Sequence, residues 1–252
     1  MRRPHPPRAA APAGAVGIAR ALSKLGVCSR TEGERLVDAG RVRVNGVVVR
    51  ERARRVVPEV DVIEVDGTRV AHVAHVYVML NKPRGLVTTA DDPHGRATVY
   101  TCLGDAPLPF VAPVGRLDKA SEGLLLLTND ARWAAALTDP RAHVDKTYHV
   151  QVRGADLDAA LQRVHGGVVD EGTGEMLSVK SIALLRRGSR GGGWFVVVLD
   201  EGRNRQLRRI FAAVGLEVQR LVRVAIGPLV LGALPKGAWR LLTDAEVRAL
   251  GG

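Results

Sequence analysis

The chain has 252 residues, 46% of them hydrophobic, with 37 Lys and Arg against 26 Asp and Glu and a formal charge of +11. That length and composition fit one large or two small folded domains and exclude disorder throughout. The longest apolar run, around Val224–Leu234, falls short of the roughly 18 residues of a membrane helix and is broken by Gly227, Pro228 and Gly232. The basic N-terminus Met-Arg-Arg-Pro-His-Pro-Pro-Arg is followed by no hydrophobic signal core, and Cys28 and Cys102 are too few for a disulfide framework. A soluble, cytoplasmic protein without membrane contact is expected. The positive charge points to a polyanion such as nucleic acid, since each Lys or Arg on a phosphate releases a counterion. A coding bias favouring Arg and Ala gives the same sum. With 4% aromatic residues, a broad base-stacking platform is not expected.

Residues 1–14, rich in Pro, Ala and Arg, read as a disordered basic tail. Ile18, Leu22 and Leu25 form the apolar stripe of a short helix. Ser29-Arg30-Thr31-Glu32 has capping-box spacing and opens a second helix, through Leu36 and Val37, that Gly40 ends. Gly33 sits inside that helix at a cost of about 1 kcal/mol relative to Ala, with no reason visible in the sequence. Arg41–Val44 and Val47–Val49 flank Asn45-Gly46, a strong hairpin turn, and Val62–Val65 is a further strand. Residues 1–75 carry 14 basic and 8 acidic side chains, a net +6, and the remaining 177 residues carry +5. Arg20, Lys24, Arg30, Arg35, Arg41 and Arg43 are the candidates for one phosphate-facing surface in this basic unit. His72 and His75 have H-x-x-H spacing without a third ligand and read as linker residues.

Tyr77–Leu80 reads as a strand turning at Asn81–Gly85, and the stretch to Pro113 as ordered loop with short elements. Leu124–Leu127 is a buried strand, followed by a helix that Thr128-Asn129-Asp130 caps and that runs through Leu137. Residues 146–153 alternate as a strand. Asp156–Val164 is a helix stopped by Gly166-Gly167, and Gly191–Gly193 a hairpin loop before the strand Trp194–Leu199. Leu207, Ile210, Phe211 and Val214 mark an amphipathic helix ended by Gly215. Without strict βαβ alternation, the fold class is α+β.

One carboxylate stands out. Gly115-Arg116-Leu117-Asp118-Lys119 places Asp118 in a turn beside a buried strand, between two cations that favour its ionised form, which suits a nucleophile. A turn Asp in a surface ion pair has the same letters, so the surrounding blocks decide. Leu25–Gly46 resembles the S4 RNA-binding domain, a family that sets two helices and a small sheet against structured RNA. Leu80–Gly85, Asp92–Val99, Gly115–Asp130, Lys146–Val150, Glu201–Arg209 and Arg220–Leu229 together are similar to the RsuA/RluB-type pseudouridine synthases, a resemblance covering nearly everything after the tail.

The resemblance implies an S4 domain and linker over 15–75 and a catalytic domain over 76–252, mixed and mainly antiparallel, with a central RNA-binding cleft. It implies isomerisation of an RNA uridine to pseudouridine without cofactor or metal. Asp118 matches the family's essential aspartate, which attacks the flipped nucleotide at the sugar or the base. Tyr148 matches the tyrosine that packs on the uracil, and Arg208 the arginine that pairs with the carboxylate, within a pattern of Arg203, Gln206 and Arg208. At 100° per residue Arg205, Arg208 and Arg209 share a helix face, leaving Arg205 and Arg209 for phosphates and Arg205 as the alternative partner of Asp118. Asn81, Lys82, Arg84, Arg116 and Lys119 are the expected cleft contacts to RNA, with Arg203 beside them. The resemblance favours large-subunit (23S) ribosomal RNA as substrate, naked or in an assembly particle, over the small-subunit (16S) RNA, and a monomer. A catalytically silent RNA-binding protein is the alternative of another class; the presence of Asp118, Tyr148 and Arg208 together argues against it.

Overall fold

The computed structural model describes residues 14–71, 73–154, 156–188 and 191–251, so most of the basic tail and His72 lie outside it. Among the described residues two compact units emerge: one holds those up to His75 together with Leu108–Val111, the other holds those of 76–107 and from Ala112 on.

In the first unit, helices α1 (Ile18–Lys24) and α2 (Arg30–Asp38) pack on a sheet of β2 (Val42–Val44), β3 (Val47–Val49), β5 (Ile63–Val65) and β6 (Thr68–Arg69), in the order β3-β2-β5-β6. A separate pair joins β1 (Val16–Gly17) to β4 (Arg55–Val56). The expected helical stripe is the core: Ile18, Leu22, Leu36 and Val37 bury against Val42, Val44 and Ile63. Asn45 and Gly46 both take positive φ, 52° and 79°, as a two-residue hairpin turn demands. Ser29 caps α2 by accepting from the Glu32 amide at 3.1 Å. The reciprocal half of the expected capping box is replaced, because the Glu32 carboxylate takes Arg35 instead. Gly33 now has its reason. A Cβ there would lie 3.2 Å from the Ala19 Cα, so the missing side chain lets α2 lie close on α1.

The second unit is built on a nine-stranded sheet. Its strands are β7 (Tyr77–Lys82), β8 (Ala112–Val114), β9 (Glu122–Thr128), β10 (Lys146–Arg153), β13 (Ser181–Arg187), β14 (Gly193–Leu199), β15 (Glu217–Ile226), β16 (Leu229–Val230) and β17 (Trp239–Leu241). The main order is β13-β14-β10-β15-β9-β7-β17, with β8 on β9 and β16 on β15. All pairings in it are antiparallel except β9 with β15. A small hairpin of β11 (Val168–Asp170) and β12 (Glu175–Leu177) stands apart. Helices α4 (Leu157–His165) and α5 (Gln206–Ala213) cover one side through Leu157, Val164, Ile210 and Phe211 against Val150, Phe195 and Val197. Helix α3 (Ala131–Thr138), capped by Asp130, forms a second core from Trp133 and Leu137 against Met79, Leu124 and Leu126. Helix α6 (Asp244–Ala249), opened by a Thr243/Glu246 capping box, leads to Leu250 in the same core. The α+β architecture is as expected.

Strand β7 runs two residues beyond its expected end, taking in Asn81 and Lys82, because both continue the ladder with β9 opposite Leu124 and Gly123. Every residue of β9 is buried. Its contact with β15 is short, pairing Val222 with Glu122 and Arg223 with Gly123. At Gly123, φ is +100° and a Cβ would fall 2.2 Å from the Arg223 carbonyl oxygen, so only glycine permits this junction. Among the described residues no helix is long and apolar enough to cross a membrane.

Candidate active site

Asp118 lies half-buried on the loop from β8 to β9, in the wall of a cleft of about 370 Å³ within the second unit. Lys146 and Tyr148 of β10, Leu221 and Arg223 of β15, and the 199–207 segment supply other walls. The expected central cleft is therefore present, and Asp118 and Tyr148 share it.

What the loop's backbone does is unusual. Its carbonyls are held by cations. Lys82 is fully buried, and its ammonium donates to the carbonyls of Asp118 at 3.1 Å, Ser121 at 2.8 Å and Pro83 at 3.2 Å. Arg208, on α5, donates through Nη2 to the Ala120 carbonyl at 3.3 Å and through Nη1 to Val218 of β15 at 3.2 Å. Arg223 donates through Nε to Leu124 at 2.8 Å. Thr88 donates to the Leu117 carbonyl at 2.7 Å, and Gly85 to that of Lys119 at 2.7 Å. The Asp118 carboxylate itself makes no ion pair among the described residues. A group whose backbone is pinned and whose side chain is unspent is preorganised to meet a reacting partner.

These anchors revise several expectations. Lys82 faces inward rather than toward RNA: burial pushes its ammonium down to about 8, against the pull of Asp118, Cys102 and Glu122. Asn81 donates its side-chain amide to the Leu234 carbonyl at 2.8 Å. Arg208 reaches Asp118 only through its field. Burial, and then the charge of Arg205, lower its pKa, while Asp118 opposes them. The shared face of Arg205, Arg208 and Arg209 is not formed, because Arg205 precedes the helix as its N-cap with φ +49°. Arg203 and Arg209 are already paired within the protein. Arg203 meets Glu175 at 2.6 Å and Glu201 at 2.9 Å, while Arg209 meets Glu175 at 2.6 Å and also Asp170. They tie the β11–β12 hairpin to α5, so the expected phosphate contact would have to break these pairs. Arg84, Arg116, Lys119 and Arg205 are exposed cations with no ion pair among the described residues.

In the first unit Arg30 and Arg43 are likewise exposed and without an ion pair, as are Arg20 and Lys24. Arg35 pairs with Glu32 at 3.2 Å, and Arg41 holds Asp66 with both arms of its guanidinium.

Two buried charged residues carried no expectation from the sequence, and of these Arg223 lines the cleft. Glu122 is buried at the foot of β9, where burial raises its pKa but Arg220 at 3.0 Å and Lys236 at 2.6 Å more than reverse that. Arg223 is 5% exposed, on the same strand face as buried Leu221 and Ala225. An arginine in phase with apolar residues was the available signal.

Comparison with known proteins closes the identification. The profile of the family described as RNA pseudouridylate synthase matches residues 76–213, and that of the S4 domain matches 16–62. An uncharacterized RNA pseudouridine synthase of Aquifex aeolicus (strain VF5) is 38% identical, with 93% of each chain covered. The ribosomal large subunit pseudouridine synthase B of Bacillus subtilis (strain 168) is 37% identical over 92% of this chain and 94% of its own. A solved structure described as pseudouridylate synthase superposes with a TM-score of 0.66 at 28% identity, covering 93% of this chain and 99% of that one. The chain belongs to the RNA pseudouridylate synthase family and joins that catalytic domain to an S4 domain.

Proposed function

We propose that this RNA pseudouridine synthase isomerises a specific uridine of large-subunit ribosomal RNA in the cytoplasm, working as a monomer, with Asp118 as its nucleophile. The observation that carries the reading is the unpaired Asp118 carboxylate, on a loop fixed by Lys82 and Arg208, beside Tyr148 in one cleft. Likeness along almost the whole chain to the Bacillus subtilis large-subunit enzyme supports the choice of RNA.

The target uridine leaves its stack, at a cost of a few kcal/mol, and enters the cleft with its base against Tyr148. Asp118 attacks at the sugar or the base, and the C1′–N1 bond breaks with its electron pair going to the uracil. The ring turns, C5 bonds to C1′, the bond to Asp118 breaks and returns its electron pair to the carboxylate, the C5 proton is lost to solvent and N1 takes a proton, so the product is an isomer of the substrate. Arg208 serves by holding the Ala120 carbonyl and lending its field to Asp118. The exposed cations Arg84, Arg116, Lys119 and Arg205 receive phosphates, and Arg30 and Arg43 of the S4 domain add sequence-independent affinity.

Carbodiimide-blocked reverse transcription of ribosomal RNA, with and without the gene, is the test. Loss of one large-subunit mark supports the reading. Loss of a small-subunit mark instead keeps the enzyme and overturns the choice of RNA, and no lost ribosomal mark overturns the substrate class.

A further inference from the structure

Two cations on the inner wall of the cleft carry N–H groups without an acceptor among the described residues. Arg223 is 95% removed from solvent, and its Nη2 has no hydrogen-bond partner although Nε is satisfied by Leu124. A buried guanidinium N–H without an acceptor is a standing cost to the folded protein, which an incoming acceptor removes. Arg223 is the ladder partner of Tyr148, so the two side chains are neighbours on one face of the sheet, and both line the cleft with Asp118. Two residues along β10 lies Lys146, half-buried, also in the cleft wall, with no hydrogen bond or ion pair from its ammonium among the described residues. Burial, and next the charge of Arg223, push the Lys146 ammonium below its ordinary value despite Asp200 and Asp145.

We propose that Arg223 and Lys146 receive the negative charge that develops on the uracil ring as its glycosidic bond breaks. This rests on the reaction and substrate proposed above. With attack at the sugar, the C1′–N1 electron pair leaves with the base and spreads from N1 onto O2 and O4; with attack at C6 of the base, the addition puts charge on O4 and the bond cleavage puts it on N1 and O2. Fixed donors in a site shielded from water stabilise such charge far better than water-exposed ones do. The ring oxygens are the fitting acceptors because Arg223 is buried beside Tyr148 and Lys146 is half-buried two residues along the strand of Tyr148, whereas the exposed arginines and Lys119 are left for the backbone phosphates. No proton or electron passes to either side chain. Their part is electrostatic.

The test is single-turnover tritium release from large-subunit RNA transcribed with [5-³H]uridine, alongside the affinity of the same RNA for each variant. Lys146→Met removes a side chain with no partner to lose, so its melting temperature should match the wild type. Arg223→Gln forfeits the bond to Leu124 as well, and Arg223→Lys restores charge without the planar fork. Lys146→Met and Arg223→Gln are each expected to slow release by about 100-fold, with RNA affinity near the wild type and partial recovery in Arg223→Lys. Wild-type rates in Lys146→Met and Arg223→Gln, or weaker affinity with an unchanged rate, would overturn the inference. A wild type silent on this RNA removes both readings, and an active wild type with equally active variants removes this one alone.

Discussion

The residue that most shapes the site without facing substrate is Lys82. Its ammonium is the shared donor for three carbonyls, those of Pro83, Asp118 and Ser121, of which that of Asp118 also accepts from the Ser121 amide at 2.9 Å. Lys82→Met would orphan the Pro83 and Ser121 carbonyls at about 1–3 kcal/mol each, so a loss of at least about 2 kcal/mol is expected in urea unfolding. Proton linkage gives a second check. Between about 8 and the ordinary 10.5 the unfolded chain keeps a proton on this lysine that the folded chain has released. Stability from this group therefore rises with pH across that window. The half-buried Cys28 thiol, pushed up to about 11 by partial burial, works in the opposite sense. The signature is thus the wild type minus Lys82→Met difference, which should grow with pH. Activity should move the other way above about 8, because a neutral amine offers two N–H groups to three carbonyls. For Asp118, the near-isosteric Asn variant should lose pseudouridine formation while binding RNA as the wild type does. Residual turnover near wild type would remove it from the nucleophile's role. Its candidacy was legible from Gly115–Asp130, but the carbonyl clamps were not, since carbonyl partners leave no mark in side-chain spacing.

Elements were legible where turn chemistry is local. The Asn45-Gly46 hairpin, the Asp130 and Asp156 caps and strand β10 stand where their residues put them. Strand β15 was hidden because Arg220 and Arg223 interrupt its apolar run, and both have partners distant in sequence, Glu122 and Leu124. Strand β13 was hidden because its exposed face mixes Ala183, Leu185 and Arg186 without alternation. The β9–β15 junction turns on one glycine. Gly123→Ala would drive a Cβ into the Arg223 backbone from an already left-handed φ. Backbone on both sides leaves nothing flexible to yield, so a loss of about 3 kcal/mol or more is expected, read as a lowered denaturation midpoint or insoluble protein. Gly33 teaches the same lesson in reverse: helix propensity alone favours alanine there by about 1 kcal/mol, and the Ala19 backbone at 3.2 Å opposes the gain.

At the scale of the molecule, the formal +11 overstates what RNA can meet. Arg35, Arg41, Arg203 and Arg209 are engaged with Glu32, Asp66, Glu175 and Asp170. Exposed pairs of this kind contribute about 0–1 kcal/mol to folding, yet each lowers the charge available for counterion release. Unpaired Arg30 and Arg43 meet a phosphate without breaking anything, whereas Arg41 must surrender two hydrogen bonds to Asp66. Binding measured over a range of salt separates the two classes. Arg30→Gln with Arg43→Gln should flatten the plot of log affinity against log salt by about one unit per lost phosphate contact. Arg41→Gln should leave the slope nearly unchanged. If the slopes came out reversed, the paired arginine would be the one on the phosphate, and the S4 surface would have to exchange its own carboxylate for RNA on binding.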